Sequence, residues 1–251
     1  MATVTRHLID RGDGALVELF QAQTPNTPNG AILFVHGFQR GLLLGGKEAV
    51  DSGTLTRFSS RFNITAAAIS QPGFGASDGP FDFCGPITQQ AISAAIQFMQ
   101  HNSFMDLNRF ALFGNSRGAV ASAMVATKIP DLGALILMSG VYDLKAAYQL
   151  SSAGIRQAIE TEAGLSDKAF ADRSALLHAS KIRAETLILH GTRDDRAPFD
   201  QANKLAAELS KVGTAVTLRT FDCGHRIPQE QTAPALRDFL ERIFAAKPRY
   251  H

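Results

Sequence analysis

Cysteine is scarce in this chain of 251 residues: only Cys84 and Cys223 occur. Two thiols cannot make a disulfide framework, and no Cys/His cluster has the spacing of a zinc site. A single bridge between them is the one pairing open, and each reads as a small buried hydrophobe. Excess charge is also missing. The 25 basic and 23 acidic residues leave a formal charge of +2. No long basic run appears, which argues against a nucleic-acid partner. Long apolar runs are absent as well. The stretch Ala134–Met138 is typical and far too short to span a membrane. The segment Met1–Asp10 lacks the apolar core of a signal peptide. The expectation is a cytoplasmic protein with no membrane partner. Internal repeats and low-complexity tracts are not found.

What the chain does have is alternation. Its length suits one large α/β domain over residues 1–251, and a hydrophobic content of 45% is enough for a substantial core. A hairpin is predicted from Val4–Ile9 and Ala15–Phe20 around the turn-like Asp10-Arg11-Gly12-Asp13-Gly14. The Pro/Asn-rich Thr24–Gly30 then joins it to the main sheet. Strands are predicted at Ala31–Val35, Ile64–Ile69, Arg109–Phe113, Ala134–Met138, Thr186–Leu189 and, nearer the sheet edge, Ala215–Thr220. Helices are predicted at Glu48–Phe62, Thr88–Gln100, Ala119–Lys128, Asp200–Lys211 and Ala233–Ala245. Near-continuous apolar strands between helices imply an α/β fold with a mostly parallel central sheet and helices on both faces. The interval 141–185 breaks the rhythm. Short helices at Ile155–Ala163 and Lys168–Leu177 give it the character of a small helical lid.

The chemistry centres on Gly114-Asn115-Ser116-Arg117-Gly118, a G-x-S-x-G pattern with a strand before it and a helix after it. A serine on that sharp turn projects its hydroxyl above the sheet edge. A serine hydroxyl is a poor nucleophile at neutral pH, so it needs a base, and the base needs an orienting acid. His190-Gly191-Thr192-Arg193-Asp194-Asp195 follows a strand end, where ligands meet open α/β sheets. Asp194 is taken as the acid, with Asp195 a rival that spacing alone hardly separates from it. Phe221-Asp222-Cys223-Gly224-His225 follows the last strand, and His225 completes the chain order Ser, Asp, His. His36 and His190 each precede a glycine at a strand end and read as turn-shaping residues. The oxyanion needs backbone donors. One is expected from the amide of Arg117. The other is expected from the loop His36-Gly37-Phe38-Gln39, with Phe38 preferred and Gln39 the rival.

On these residues the chain resembles the α/β-hydrolase superfamily. It looks most like the catalytic domain of prolyl-oligopeptidase-type serine peptidases and their single-domain esterase relatives. The resemblance runs from about Ala31 to the end. It rests on the Ser116 motif, on Thr186-Leu187-Ile188-Leu189-His190-Gly191-Thr192-Arg193-Asp194, and on Gly224-His225. Arg173-Ser174-Ala175, His178-Ala179-Ser180-Lys181-Ile182 and the loop Gln71-Pro72-Gly73-Phe74-Gly75-Ala76-Ser77 add to it. The family pattern places the acid at Asp194, four residues before Pro198. It implies acyl transfer through an acyl-enzyme with no metal or organic cofactor. Substrates would be small esters, amides or short peptides.

The departures bear on substrate. These 251 residues are expected to hold no amino-terminal β-propeller, Phe38 stands where the peptidases often carry a glycine, and no acidic pair clearly fixes a substrate amino terminus. An esterase-like acyl hydrolase is therefore preferred, with a peptidase, an acyltransferase or a non-catalytic protein on the same fold as alternatives. Phe38, Phe74, Phe81, Phe83 and Tyr142 suggest an apolar substrate pocket, with Phe74 and Tyr142 as its expected contacts. Arg40 is a loop cation near that site.

Overall fold

The computed structural model describes residues 2–39, 41–103 and 106–245. Arg40 lies outside the described residues. The chain opens with strands β1 (Thr3–Asp10) and β2 (Leu16–Gln23), which pair antiparallel. Then come β3 (Ala31–Val35), α1 (Lys47–Asp51), α2 (Thr54–Phe62) and β4 (Thr65–Ile69). Next are α3 (Pro86–Ser103), β5 (Phe110–Asn115), α4 (Arg117–Ala126) and β6 (Ala134–Met138). The helices α5 (Leu144–Leu150), α6 (Ala153–Glu162) and α7 (Asp167–Ala171) lead to β7 (Glu185–Gly191). The chain continues through α8 (Phe199–Lys211) and β8 (Val216–Phe221) to α9 (Gln229–Phe244).

The strands form one eight-stranded sheet in the order β1-β2-β4-β3-β5-β6-β7-β8. From β4 through β8 neighbours pair parallel, while β2 pairs antiparallel with β1 and with β4. The central strands are apolar at nearly every position because both faces are covered. Along β3 the pleat sends Ala31, Leu33 and Val35 into one core, with residues of α3, α4 and α8. Ile32 turns the other way, into the core with Leu55 of α2 and with Phe239, Leu240 and Phe244 of α9. β8 is the edge strand expected, with partly exposed residues along its length.

Two helical expectations need correction. The single helix predicted over Glu48–Phe62 is broken into α1 and α2 at Gly53, whose φ of 69° is left-handed and stops the first helix. The interval between β6 and β7 holds three helices and a 3₁₀ turn (Ala175–Lys181) rather than two helices. The unforeseen one is α5, seven residues long and too short to show a helical period. Asp143 starts it, its side chain accepting the amide of Ala146. No helix among the described residues is long and apolar enough to cross a membrane.

The parallel order reverses between β4-β3 and β5, so the chain leaves β3 toward one sheet edge and β5 toward the other. The loops after these two strands diverge and leave a crevice at their carboxyl ends. The residues after β3 and β5 face that crevice.

Candidate active site

The Ser116 corner is built from close backbone contacts. α4 begins immediately after Ser116 and lies hard against β3. A Cβ on Gly118 would stand 2.1 Å from the carbonyl oxygen of Val35, so only glycine fits. Gly37 is less confined but still tight, since its Cβ would meet Ser116 Cβ at 3.0 Å and Asn115 O at 3.2 Å. Ser116 itself has φ 53° and ψ −116°, a strained conformation for a residue with a side chain. Such strain typically costs about 1–3 kcal/mol and persists only where the surroundings enforce it. Here they do: the Ser116 amide donates to Met138 O at 2.8 Å, and Ser116 O accepts from Ala119 and Val120. The strain lifts the hydroxyl out of the helix and toward the crevice.

Ser116 Oγ lies 2.9 Å from His225 Nε2. His225 Nδ1 lies 2.9 Å from Asp194 Oδ2 and 3.0 Å from Oδ1. An ionised carboxylate only accepts, so Nδ1 carries the proton and donates to Asp194, and Nε2 accepts from the Ser116 hydroxyl. The three residues expected from chain order thus lie in one hydrogen-bonded chain. The His225 loop is fastened from two sides. Arg193 N donates to Cys223 O, and the Ser139 hydroxyl donates to His225 O at 3.0 Å. Ser139, buried at the end of β6 with φ 52°, escaped sequence reading. A Ser-Gly pair after an apolar strand was its only signal.

The carboxylate of Asp194 is fully buried. Burial alone would raise its pKa. The His190 ring, with Nε2 3.4 Å from Oδ2, and hydrogen bonds from His225 and the amides of Ala197 and Arg196 outweigh burial and hold it well below the ordinary carboxylate range. The sign of the consequence follows. A lowered folded-state pKa contributes stability that is full above the unfolded value of 3.8 and is lost as pH falls through the lowered value. The gap between the urea unfolding midpoints of the wild type and Asp194→Asn should therefore be constant near neutral pH and narrow progressively as pH falls from about 4 toward the lowered value. A gap that stays constant into acid would show that this carboxylate contributes no such linkage. Asp195, the rival acid, is exposed and makes no hydrogen bond or ion pair among the described residues.

The two other histidines sit at strand ends, in contact with backbone. His36 accepts the Gln71 amide at Nε2 and donates from Nδ1 to Gly37 O, and burial lowers its pKa. Buried His190 donates from Nε2 to Ala197 O. It tightens the turn that carries Asp194.

Above the strand ends lies a cavity of about 1120 Å³. Its floor holds Gly37, Phe38, Ser116, Arg117 and His225. Its roof is apolar, with Leu144 and Ala147 of α5 and Ile155, Ala158 and Ile159 of α6. The Arg117 amide opens α4 and has no intrahelical acceptor. The Phe38 amide donates to no acceptor among the described residues. The amide of Gln39, the rival donor, likewise donates to no acceptor among the described residues, while its side chain bonds Gly45 and Glu48. Among the described residues no group of three or more His, Cys, Asp or Glu could hold a metal ion.

The two expected substrate contacts are not where sequence placed them. Tyr142 is fully buried, and its hydroxyl makes no well-formed hydrogen bond among the described residues. Burial pushes its pKa up, and it packs in the core rather than on the cavity. Its neighbour Val141 lines the cavity instead. Phe74 is 3% exposed and lies behind the cavity wall, its ring against His36, Phe38 and Phe81. Phe83 lines the cavity as expected of that aromatic set. The roof residues and Glu162 were missed, because nothing local in sequence tells which face of a short helix turns toward a site.

Comparison with known proteins places this geometry. A model of the prolyl oligopeptidase family matches residues 86–245, beginning at α3 and including all three residues of the hydrogen-bonded chain. The uncharacterized peptidase YuxL of Bacillus subtilis is 24% identical over 143 residues, covering 56% of this chain and 22% of YuxL. The puromycin-hydrolyzing peptidase of Mycobacterium tuberculosis superposes with a TM-score of 0.81 at 20% identity, covering 99% of this chain and 40% of that one. The acylaminoacyl peptidase of Pyrococcus horikoshii gives 0.80 at 17%, covering all of this chain and 43% of that one. An esterase of Pyrococcus furiosus gives 0.76 at 14%, covering 97% and 92%. The chain thus spans less than half the length of each of these peptidases. The structural likenesses establish an α/β-hydrolase fold, and the family match extends over more than half of the sequence. The chain belongs to the prolyl oligopeptidase family.

Proposed function

We propose that this protein is a serine hydrolase that cleaves ester or amide bonds through an acyl-enzyme. The observation that carries the reading is the unbroken hydrogen-bonded chain Ser116–His225–Asp194 at the floor of the cavity. Ser116 Oγ attacks the carbonyl carbon while His225 Nε2 takes its proton. The carbonyl oxygen becomes an oxyanion held by the amides of Arg117 and Phe38. His225 returns the proton to the leaving group, and the Ser116 ester is then hydrolysed by water with His225 again as base. Asp194 keeps the proton on Nδ1 and stabilises the imidazolium. The helices α5 and α6 act as a lid whose apolar underside receives the acyl group.

The ester reading is favoured by the state of the cavity's carboxylates. Fixing a substrate amino terminus takes a free acidic pair, but of the cavity's described carboxylates Glu162 is paired with Arg117 and Glu48 is bonded by Gln39, which leaves Asp195 alone. The peptidase reading keeps its own support, the family match. A panel of p-nitrophenyl esters of graded acyl length, set beside aminoacyl and prolyl anilides, separates them. The expected result is kcat/KM highest for esters with an apolar acyl chain. Faster turnover of the anilides would reverse the order of the two readings.

A further inference from the structure

We propose that the side chain of Arg117 is a positioning residue that braces the Phe38 loop against the Ser116 corner and ties both to the lid. The inference rests on the hydrolase reading above, which uses only the amide of Arg117 and leaves its guanidinium without a task.

That guanidinium does not extend into solvent. It folds between two rings, with its central carbon 4.6 Å from the centroid of Phe38 and 4.2 Å from that of Phe83. Nη1 donates to Glu162 Oε2 at 2.8 Å, with the two side chains only 16% and 15% exposed. The same carboxylate oxygen accepts the Phe83 amide at 3.2 Å. One cation therefore joins four places: the loop after β3, the segment before α3, the start of α4 and the last residue of α6.

Phe38 has the greatest need of it. Its ring is half exposed, and its nearest described aromatic neighbour, Phe74, is 6.4 Å away. An exposed ring on a loop visits several rotamers, and a partly desolvated cation over its face favours one. Ring and amide belong to the same residue, so holding the ring also limits how the amide can turn. An oxyanion donor must lie within about 2.7–3.1 Å of the developing charge, and a misplacement of about 1 Å can cost a hundredfold in rate. Arginine suits the position because a planar cation can stack on two rings while keeping in-plane donors for Glu162. A lysine ammonium cannot do both.

The test separates positioning from simple packing. Arg117→Met keeps the aliphatic stem and removes the planar charge. With p-nitrophenyl acetate, kcat should fall about 10- to 100-fold while KM changes less than about threefold. Affinity for a trifluoromethyl ketone, whose serine adduct carries an oxyanion, should fall by the same factor as kcat. Arg117→Lys should recover part of both losses. An unchanged kcat, a rise in KM alone, or a fall in kcat without the matching loss of ketone affinity would each overturn the proposal. If circular dichroism shows that Arg117→Met is unfolded, Glu162→Gln decides. It leaves the stacking and replaces the ion pair by at most a neutral hydrogen bond, so kcat should drop several-fold with KM constant, and an unaltered kcat overturns the proposal. Failure of the underlying reading looks different: Ser116→Ala would then hydrolyse the ester as fast as the wild type.

Discussion

Asp194→Asn is expected to lower kcat by about 10⁴-fold, while Asp195→Asn stays within about threefold of wild type. The two residues are neighbours in sequence and opposites in environment. Asp194 Oδ1 accepts the amides of Arg196 and Ala197, each at 2.9 Å, and the carboxylate faces the Nδ1 proton of His225. An asparagine would keep its carbonyl oxygen on the two amides and turn its NH₂ group toward His225. Two donors cannot share that space, so the imidazole would move its proton to Nε2. It could then no longer accept from Ser116. The loss comes from a wrong tautomer rather than from a collapsed fold. Asp195 is exposed at the cavity lining and touches none of this. Steady-state kinetics on one p-nitrophenyl ester, with circular dichroism as the folding control, gives the comparison. The reverse ranking would make Asp195 the acid.

Ser116→Ala should remove roughly 10⁶-fold in kcat and leave the thermal midpoint close to that of the wild type. The hydroxyl has a single described side-chain partner, His225 Nε2. The corner is held by backbone contacts that alanine preserves, including the Ser116 amide to Met138 O and the close passage of Gly118 against Val35. Any turnover that remains would come from oriented binding near the oxyanion donors. A variant that keeps its fold and its full rate would remove Ser116 from the chemistry.

The parts of this structure that were legible in the sequence are those fixed by local pattern. β3 and β6 begin and end where their apolar runs do, because a strand covered on both faces has no polar positions to blur its limits. The serine corner was legible because glycines at Gly114 and Gly118 meet a steric need that no other residue satisfies. Asp194 and His225 could be named from chain order, but Asp194 could not be separated from Asp195 by spacing. The difference lies in the turn that buries one and exposes the other. Tyr142 and Phe74 were misread because an aromatic residue after a strand can face the core or a cavity, and only tertiary packing decides. Arg117 and Glu162 are 45 residues apart in sequence, and their ion pair depends on how α6 lies across the sheet. No local pattern announces such a contact.

The central claim is that Ser116 is an activated nucleophile, and a fluorophosphonate probe reads that directly. Folded wild-type protein should take up one label, mapped by peptide mass spectrometry to Ser116, and should take it up far more slowly when His225 is replaced by alanine. Folded protein that remains unlabelled, or that carries the label on another residue, would contradict the claim.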